Sequence, residues 1–421
     1  MKLLYIFFLE LQVIISYTVI MQEKNDRLDT LLTKDVCFLF RIFDNQLRLV
    51  GGCVRDFLLH KKVHDIDMAT PLTPDEMIQI LEKNNVAYFL TGLKHGTITV
   101  VINHIPYEIT TLRVDKKTNG RHANVLFLKD YHQDALRRDF TINALYMDNL
   151  GQIYDYTKGI RDLKDKKICF IGEPNERICE DYLRILRYFR FVARFGVKNV
   201  DEKSFNACVL NKAGLKTLSI ERIREEFLKL LISPFVIDSL QLMAKGKILD
   251  ELISYYRIER LKRFLGFYPQ STALERLVIL TEADDILYWK WSRLQKKQLM
   301  MCCQIVDIPQ NINNVRYLMW RLGKSMFLFH LNKKRLEKPM PLEQYYLLKN
   351  LKVPKFNIKG SDFQELGFIG TQIGMLLKLS EKKWVKMGFP KKKSLVIDSV
   401  LLYTKRSNLF LREKNDDKTF K

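Results

Sequence analysis

Cysteine is sparse in this chain, seven in 421 residues, and no two are spaced C-x-x-C. Cys37, Cys53, Cys169, Cys179, Cys208, Cys302 and Cys303 form no Cys/His group with zinc spacing, so a structural zinc module is excluded. An odd, scattered set also excludes a disulfide framework and fits a reducing, cytoplasmic compartment. The glycine pair at 51–52 does not extend to G-x-G-x-x-G, so a Rossmann fingerprint is missing. No segment repeats at a fixed period, which excludes a solenoid. The one long apolar stretch, Met1–Gln22, carries Glu10 in its middle. A charge there costs about 2.5–3.5 kcal/mol in hydrocarbon, and no A-x-A cleavage site follows. The stretch therefore reads as an apolar N-terminal helix, or as an extension ahead of a start at Met21, rather than as a signal peptide or anchor. No membrane partner is expected.

Apolar residues are plentiful at 47%, enough for a sizeable core and too many for a disordered chain. The length suggests about two to four units. Charge is uneven. Residues 1–150 hold 18 basic and 18 acidic side chains, so the remaining 52 basic against 30 acidic carry the whole formal +22. A neutral N-terminal third joined to a basic remainder has the charge layout of a catalytic module attached to a polyanion-binding body, although a solvated lysine-rich surface gives the same count.

The chemistry concentrates in a few short motifs. Gly51-Gly52-Cys53-Val54-Arg55-Asp56 is followed nine residues later by Asp65-Ile66-Asp67. Gly51 and Gly52 allow backbone N–H groups to approach a phosphate, and Arg55 adds a charged donor. The pattern predicts a strand over Asp65–Met68, which sets Asp65 and Asp67 on one face roughly 6–7 Å apart. Two such carboxylates can hold a pair of divalent ions about 3.5–4 Å apart, the arrangement suited to nucleotidyl transfer. Glu108, on the hairpin predicted over 96–112, is a candidate third carboxylate. Arg137-Arg138-Asp139 precedes Phe140-Thr141-Ile142-Asn143. Two arginines can clamp phosphate or ribose oxygens, Asp139 can hold an arginine or accept a ribose hydroxyl, and Asn143 is a neutral hydrogen-bonding group.

Beyond about residue 160 the strand patterns thin out and helical periodicity takes over. One helix is predicted over 179–195. Along it Arg184, Arg187, Arg190 and Arg194 span an arc of about 120°. Asp181 and Arg184, three apart, are surface neighbours on such a helix. A carboxylate beside a guanidinium complements the amine and ring nitrogen shared by cytosine and adenine, and opposes guanine and uracil. Four arginines on one face also call for an anionic partner.

Taken together, G-G-C-V-R-D, H-D-I-D-M-A-T, R-R-D-F-T-I-N-A-L, E-D-Y-L-R-I-L-R and the run Glu221–Glu226 resemble the class II tRNA nucleotidyltransferase and poly(A) polymerase family. That family is a branch of the polymerase-β-like nucleotidyltransferases. The resemblance covers about Leu49 to Leu231, with fainter matches from Ile358 to Gly374. It implies an α+β fold, a small mixed β-sheet head followed by an all-helical neck, body and tail. The expected boundaries are 1–22 for the apolar segment, 23–150 for the head, 151–235 for the neck, 236–350 for the body and 351–421 for the basic tail.

The resemblance also implies roles: Asp65 and Asp67 as catalytic magnesium ligands, Asp181 and Arg184 as an amino-acid template for the base, Arg187 and Arg190 at the triphosphate or base, and Arg138 at the ribose. The polar loop near 116–124 becomes the flexible element tied to switching between C and A. The implied activity is CCA addition to tRNA from CTP and ATP. Two departures stand out. Cys53 replaces the usual Ser, Ala or Gly, and no separate phosphohydrolase HD domain is present. The near alternative is a poly(A) polymerase or an enzyme adding part of the triplet. The distant one, a non-catalytic RNA-binding protein, is opposed by the intact Asp65/Asp67 pair.

Overall fold

The computed structural model describes residues 28–116, 124–352 and 354–406. The apolar segment 1–22, most of the loop near 116–124 and the end of the Lys-rich terminus lie outside the described residues. The chain divides into two compact units: Met1–Ile258 with Asp284–Lys290, and Glu259–Ala283 with Trp291–Lys421.

The first unit begins with α1 (Lys34–Ile42), whose N-terminus is capped by the Thr33 hydroxyl. A sheet of strands follows: β1 (Arg48–Val50), then α2 (Gly52–Leu58), β2 (Asp67–Thr70) and α3 (Pro74–Lys83). Thr73 and Glu76 close a capping box on α3, as the Thr73-Pro74-Asp75-Glu76 pattern predicts. β3 (Ala87–Gly92), β4 (Thr97–Ile102) and β5 (Ile105–Thr111) come next, then the hairpin β6 (Arg113–Lys116) and β7 (Asn124–Phe127), α4 (Tyr131–Leu136), β8 (Leu145–Met147) and β9 (Ile153–Asp155). The main sheet runs β3-β4-β5-β2-β1-β8-β9. Within it β2 and β5 pair in parallel, with Asp67 opposite Glu108, and the other neighbours are antiparallel. The β4–β5 hairpin turns at Asn103 and His104, both at positive φ, the geometry that matches the twist of the strands. Leu49, Val50, Met68, Ala69, Ile109, Leu145 and Tyr146 are buried in this sheet.

Helices complete the unit: α5 (Gly159–Lys164), α6 (Pro174–Glu180), α7 (Leu183–Phe195), α8 (Glu202–Leu210), α9 (Ile220–Leu231) and α10 (Val236–Lys245). The apolar face of α7 buries Ile185, Leu186, Tyr188, Phe189, Phe191 and Val192. Phe140 joins it, 4.8 Å from the Phe170 ring and 5.3 Å from that of Phe191. The second unit is helical: α11 (Ile258–Phe267, whose first residue closes the first unit), α12 (Ala273–Leu280), then past α13 (Ala283–Leu287), which opens the return to the first unit, α14 (Arg293–Cys303), α15 (Ile312–Leu322), α16 (Lys324–Glu337), α17 (Leu342–Asn350), α18 (Gly360–Gln364), α19 (Thr371–Lys386) and α20 (Lys393–Arg406). No helix among the described residues is long and apolar enough to cross a membrane. The architecture is α+β, a mixed sheet followed by helices.

Several expectations change. The strand over Asp65–Met68 begins at Asp67, so Asp65 lies just ahead of it and the two aspartates do not alternate along one strand. The helix over 179–195 breaks at Asp181, whose φ of −156° and ψ of 103° are extended; α6 ends there and α7 begins two residues later. A helix over 314–330 divides at Gly323, φ 80°, into α15 and α16. The segment 247–255 holds only a short 3-10 turn at Leu249–Glu251, and 362–378 splits into α18 and α19.

Gly159 fixes where α5 starts. A Cβ there would stand 2.2 Å from the carbonyl oxygen of Thr141 and 3.0 Å from Leu145. Backbone cannot move aside without dragging the 141–143 turn, so Gly159→Ala should cost about 1–3 kcal/mol, as overpacking does. Thermal unfolding of the variant checks this; an unchanged melting temperature would contradict it.

Candidate active site

Gly51 opens the site. Its φ of 77° and ψ of −120° suit glycine alone, and its N–H donates to Leu145 O at 3.0 Å. A Cβ here would come within 3.5 Å of Asn143 O and 3.7 Å of Arg138 Nη1, so the glycine turn lies against the second motif. Cys53 is buried behind it, its thiol pushed up to about 11 by burial, and behaves as a small core residue. Arg55, expected as a charged donor to phosphate, is engaged inside the protein. It is 5% exposed, donating through Nε to Asp56 at 3.0 Å and through Nη1 to the side-chain Oδ1 of Asn143. It braces α2 against the Asn143 turn.

Asp67 and Glu108 are brought together as neighbours across the parallel pair β2–β5, with Asp65 close enough to act on the same carboxyl. Burial first, then the Glu108 charge, raises the Asp67 carboxyl above the ordinary aspartate range; Arg138 pulls the other way. No three carboxylate, His or Cys side chains among the described residues gather into a closed metal cage. The donor set is nonetheless all oxygen and carries excess negative charge. That fits magnesium, which keeps several waters and takes one or two carboxylates plus substrate phosphates.

Arg137 and Arg138 are held by Asp134, which sequence reading missed. Its buried carboxylate accepts from Arg137 Nε at 2.8 Å, Arg138 Nη2 at 3.0 Å and the Tyr146 hydroxyl at 2.7 Å. Burial would raise its pKa, but the two guanidiniums more than offset this and hold it low. The i−3 and i−4 spacing of Asp134 from the arginine pair is the signal that was available.

Asp139 links this segment to α7. One oxygen accepts from Phe140 N at 2.8 Å and Asn143 Nδ2 at 3.1 Å; the other accepts Arg187 Nε at 2.7 Å and pairs with Nη2 at 2.5 Å. Burial opposes ionisation, yet Arg187 and these hydrogen bonds keep Asp139 below its usual range. Arg190 donates to Glu226 of α9 at 2.6 Å, and Arg194 to Asp56 of α2 at 2.8 Å. The arginine row thus has its anionic partners inside the protein: Asp139, Glu226 and Asp56. Glu226 lies in the 221–226 motif, but no sequence signal assigned it this part.

The expected Asp181–Arg184 couple is not formed. Asp181 accepts from Leu183 N at 3.1 Å and from Arg222 Nη2 at 2.8 Å, whereas Arg184 Nη1 donates to Glu180 at 2.6 Å and to the Arg177 carbonyl at 2.6 Å. The break at Asp181 turns it away from the i,i+3 relation a continuous helix would give. Both side chains are engaged through exchangeable pairs on partly exposed surface.

In the second unit an open groove of about 940 Å³ is lined by Tyr317, Trp320, Tyr403, Lys382, Lys383 and Lys386, among others. Aromatic faces beside lysines suit nucleobases and phosphates.

A sheet that juxtaposes Asp67 and Glu108, beside an arginine pair fixed by Asp134, defines a nucleotidyltransferase head. Comparison with known proteins narrows this. A family described as "Poly A polymerase head domain" matches residues 47–169, and one described as "Probable RNA and SrmB- binding site of polymerase A" matches 199–257. The human protein named CCA tRNA nucleotidyltransferase 1, mitochondrial, is 31% identical over 93% of this chain and 94% of its own length. The CCA-adding enzyme of Lactobacillus helveticus is 34% identical over 66% of this chain and 72% of its own. The crystal structure of the Bacillus stearothermophilus CCA-adding enzyme in complex with CTP superposes with a TM-score of 0.58 at 25% identity, covering 88% of this chain and 94% of that one. The Thermotoga maritima enzyme complexed with tRNA shares the fold at a TM-score of 0.53 and 19% identity, over 89% and 98%. The chain belongs to the CCA-adding tRNA nucleotidyltransferase family.

The raised Asp67 carboxyl has a sign that can be measured. Between the ordinary aspartate pKa and its raised value, the folded chain holds a proton that the unfolded chain has released. The group therefore favours folding at low pH, and that contribution is lost as pH rises through the raised value. Asp67→Asn removes the penalty. In metal-free protein the variant should melt about 2–4 °C higher than the parent at pH 8, with the gap closing toward pH 4. A gap independent of pH would contradict the assignment.

Proposed function

We propose that this chain adds C, C and A in turn to the 3′ end of tRNA, taking CMP units from CTP and AMP from ATP and releasing pyrophosphate. The observation that carries the reading is the shared site of Asp67, Glu108 and the Asp134-held arginine pair, within a chain that matches CCA-adding relatives over nearly its whole length. Magnesium held by Asp65 and Asp67, with Glu108 beside them, would neutralise the α-phosphate and ease loss of the proton from the attacking 3′-hydroxyl. Every other part falls to the protein. The turn at Gly51 and Gly52 lets phosphate oxygens approach the backbone at the start of α2, past the Gly51 N–H that is held by Leu145 O. Arg137 and Arg138, oriented by Asp134, offer donors to triphosphate and ribose. Asp139 and Asn143 set the positions of Arg187 and Arg55, and Glu226 that of Arg190.

Base choice falls to Asp181 and Arg184. To read cytosine or adenine, Asp181 exchanges Arg222 for the exocyclic amine, and Arg184 exchanges Glu180 for the ring nitrogen. Uracil and guanine present a carbonyl where Asp181 needs a donor, so they set acceptor against acceptor and leave Asp181 without its partner. The basic, aromatic groove of the second unit supports the assignment of tRNA as the macromolecular partner. A cytoplasmic placement rests on the seven free cysteines. The human and mouse relatives carry "mitochondrial" in their names, so fractionation of cells expressing the tagged chain decides between these compartments.

Single-nucleotide incorporation on tRNA transcripts ending before C74, C75 and A76 tests the reading. The expected order is CTP, CTP, ATP with termination after one A; long A tails would overturn it in favour of a poly(A) polymerase. Asp181→Ala or Arg184→Ala should blunt rejection of UTP and GTP by about tenfold or more while weakening triphosphate binding less. Unchanged nucleotide preference would remove the template role.

A further inference from the structure

We infer that Arg177, in α6, is a positioning residue that couples base reading to the arginine pair on the triphosphate side. Its side chain is 12% exposed and no sequence motif reading gave it a part. Nη1 donates to both oxygens of Glu180, at 2.7 and 2.6 Å. Nη2 donates to the backbone carbonyls of Arg137 and Arg138, the second at 2.9 Å. The carbonyl of Arg177 itself accepts from Arg184 Nη1 at 2.6 Å, and the same Arg184 nitrogen donates to Glu180 at 2.6 Å. One carboxylate is therefore shared by two guanidiniums: Arg184, assigned to the base, and Arg177, which grips the chain that carries Arg137 and Arg138.

A shared carboxylate makes the two arginines interdependent. When a base draws Arg184 away, Glu180 is left to Arg177 alone. The charge-assisted bonds between them strengthen as the competitor leaves. Any resulting shift of the Arg177 fork is passed to the 137–138 carbonyls, since the planar guanidinium moves as one body. Arg137 also follows the last turn of α4, so Arg177 satisfies carbonyls that a helix end leaves open. That capping alone would steady the fold without regard to the nucleotide. Coupling predicts more: a correct base places the arginine pair better than a wrong base does. The inference rests on the reading of Arg184 as the base-contacting residue and names what transmits its state.

The test uses the full chain, tRNA lacking CCA, and CTP or UTP in single-turnover incorporation, with a melting curve for each variant. Arg177→Lys keeps the charge but cannot hold a carboxylate and two carbonyls at once. It should fold, lower the CTP-over-UTP ratio of kcat/KM about tenfold through kcat, and change the KM for CTP less than about threefold. In an Arg184→Ala background the same substitution should leave the remaining ratio unchanged. Glu180→Gln, which opens the knot from its other side, should reproduce the pattern and serves if Arg177→Lys does not fold. Equal losses for CTP and UTP in both variants would show a cap and nothing more, and overturn the coupling. A full effect persisting in the Arg184→Ala background would overturn it as well. An unchanged ratio in Arg184→Ala alone would instead overturn the base-reading assignment, and the coupling with it.

Discussion

The site depends on a row of arginines on one helix meeting carboxylates contributed by other parts of the first unit. Arg187 meets Asp139, Arg190 meets Glu226 and Arg194 meets Asp56. The opposite side of α7 is packed with aromatic and aliphatic groups, so the helix cannot rotate to relieve unpaired charge. Each arginine is therefore both anchored and aimed. Asp139 extends the row into the loop that carries Asn143, and Asn143 extends it to Arg55 of the glycine turn. The glycine turn, the Asn143 turn and α7 are thus joined by one chain of charge-assisted bonds. Breaking one member would leave its partner charged and poorly solvated, which costs far more than an exposed ion pair contributes.

A second tension lies at the carboxylates. Asp67 is held close to Glu108 by strand register, where burial and like charge disfavour its ionised form. A core optimised only for stability would not keep that arrangement. On the function proposed above, it is kept because the same excess of negative oxygen would attract a hard cation and the phosphates that accompany it.

Much of this was legible in the chain. The glycine turn, the 96–112 hairpin and the Thr73 capping box follow from local chemistry, and the family from the type and order of residues in the motifs. What was illegible depended on tertiary context. The edge strand Ala87–Gly92 is mostly exposed, so it lacks the alternation that marks a half-buried strand. The break at Asp181 interrupts a sequence whose periodicity reads straight through it; no glycine or proline announces it. Asp65 lies ahead of its strand because pairing with β5 starts at Asp67. The partners of the arginine row come from Asp56, Asp139 and Glu226, far apart in sequence. Spacing shows that such a row needs anions but not which ones, and here it suggested an outside ligand where the protein supplies its own. Arg177 was missed for the same reason, its partners being set by folding, whereas Asp134 left a local signal in its spacing from the arginine pair.

The most direct test of this scheme is a double-mutant cycle on Asp139 and Arg187, read by denaturant unfolding alongside CTP incorporation. If the row is the organising interaction, Asp139→Asn and Arg187→Ala each cost nearly as much as the two combined, giving an interaction energy of about 1–3 kcal/mol and a matching loss of turnover. Additive effects within about 0.5 kcal/mol, with turnover retained in either single variant, would contradict it.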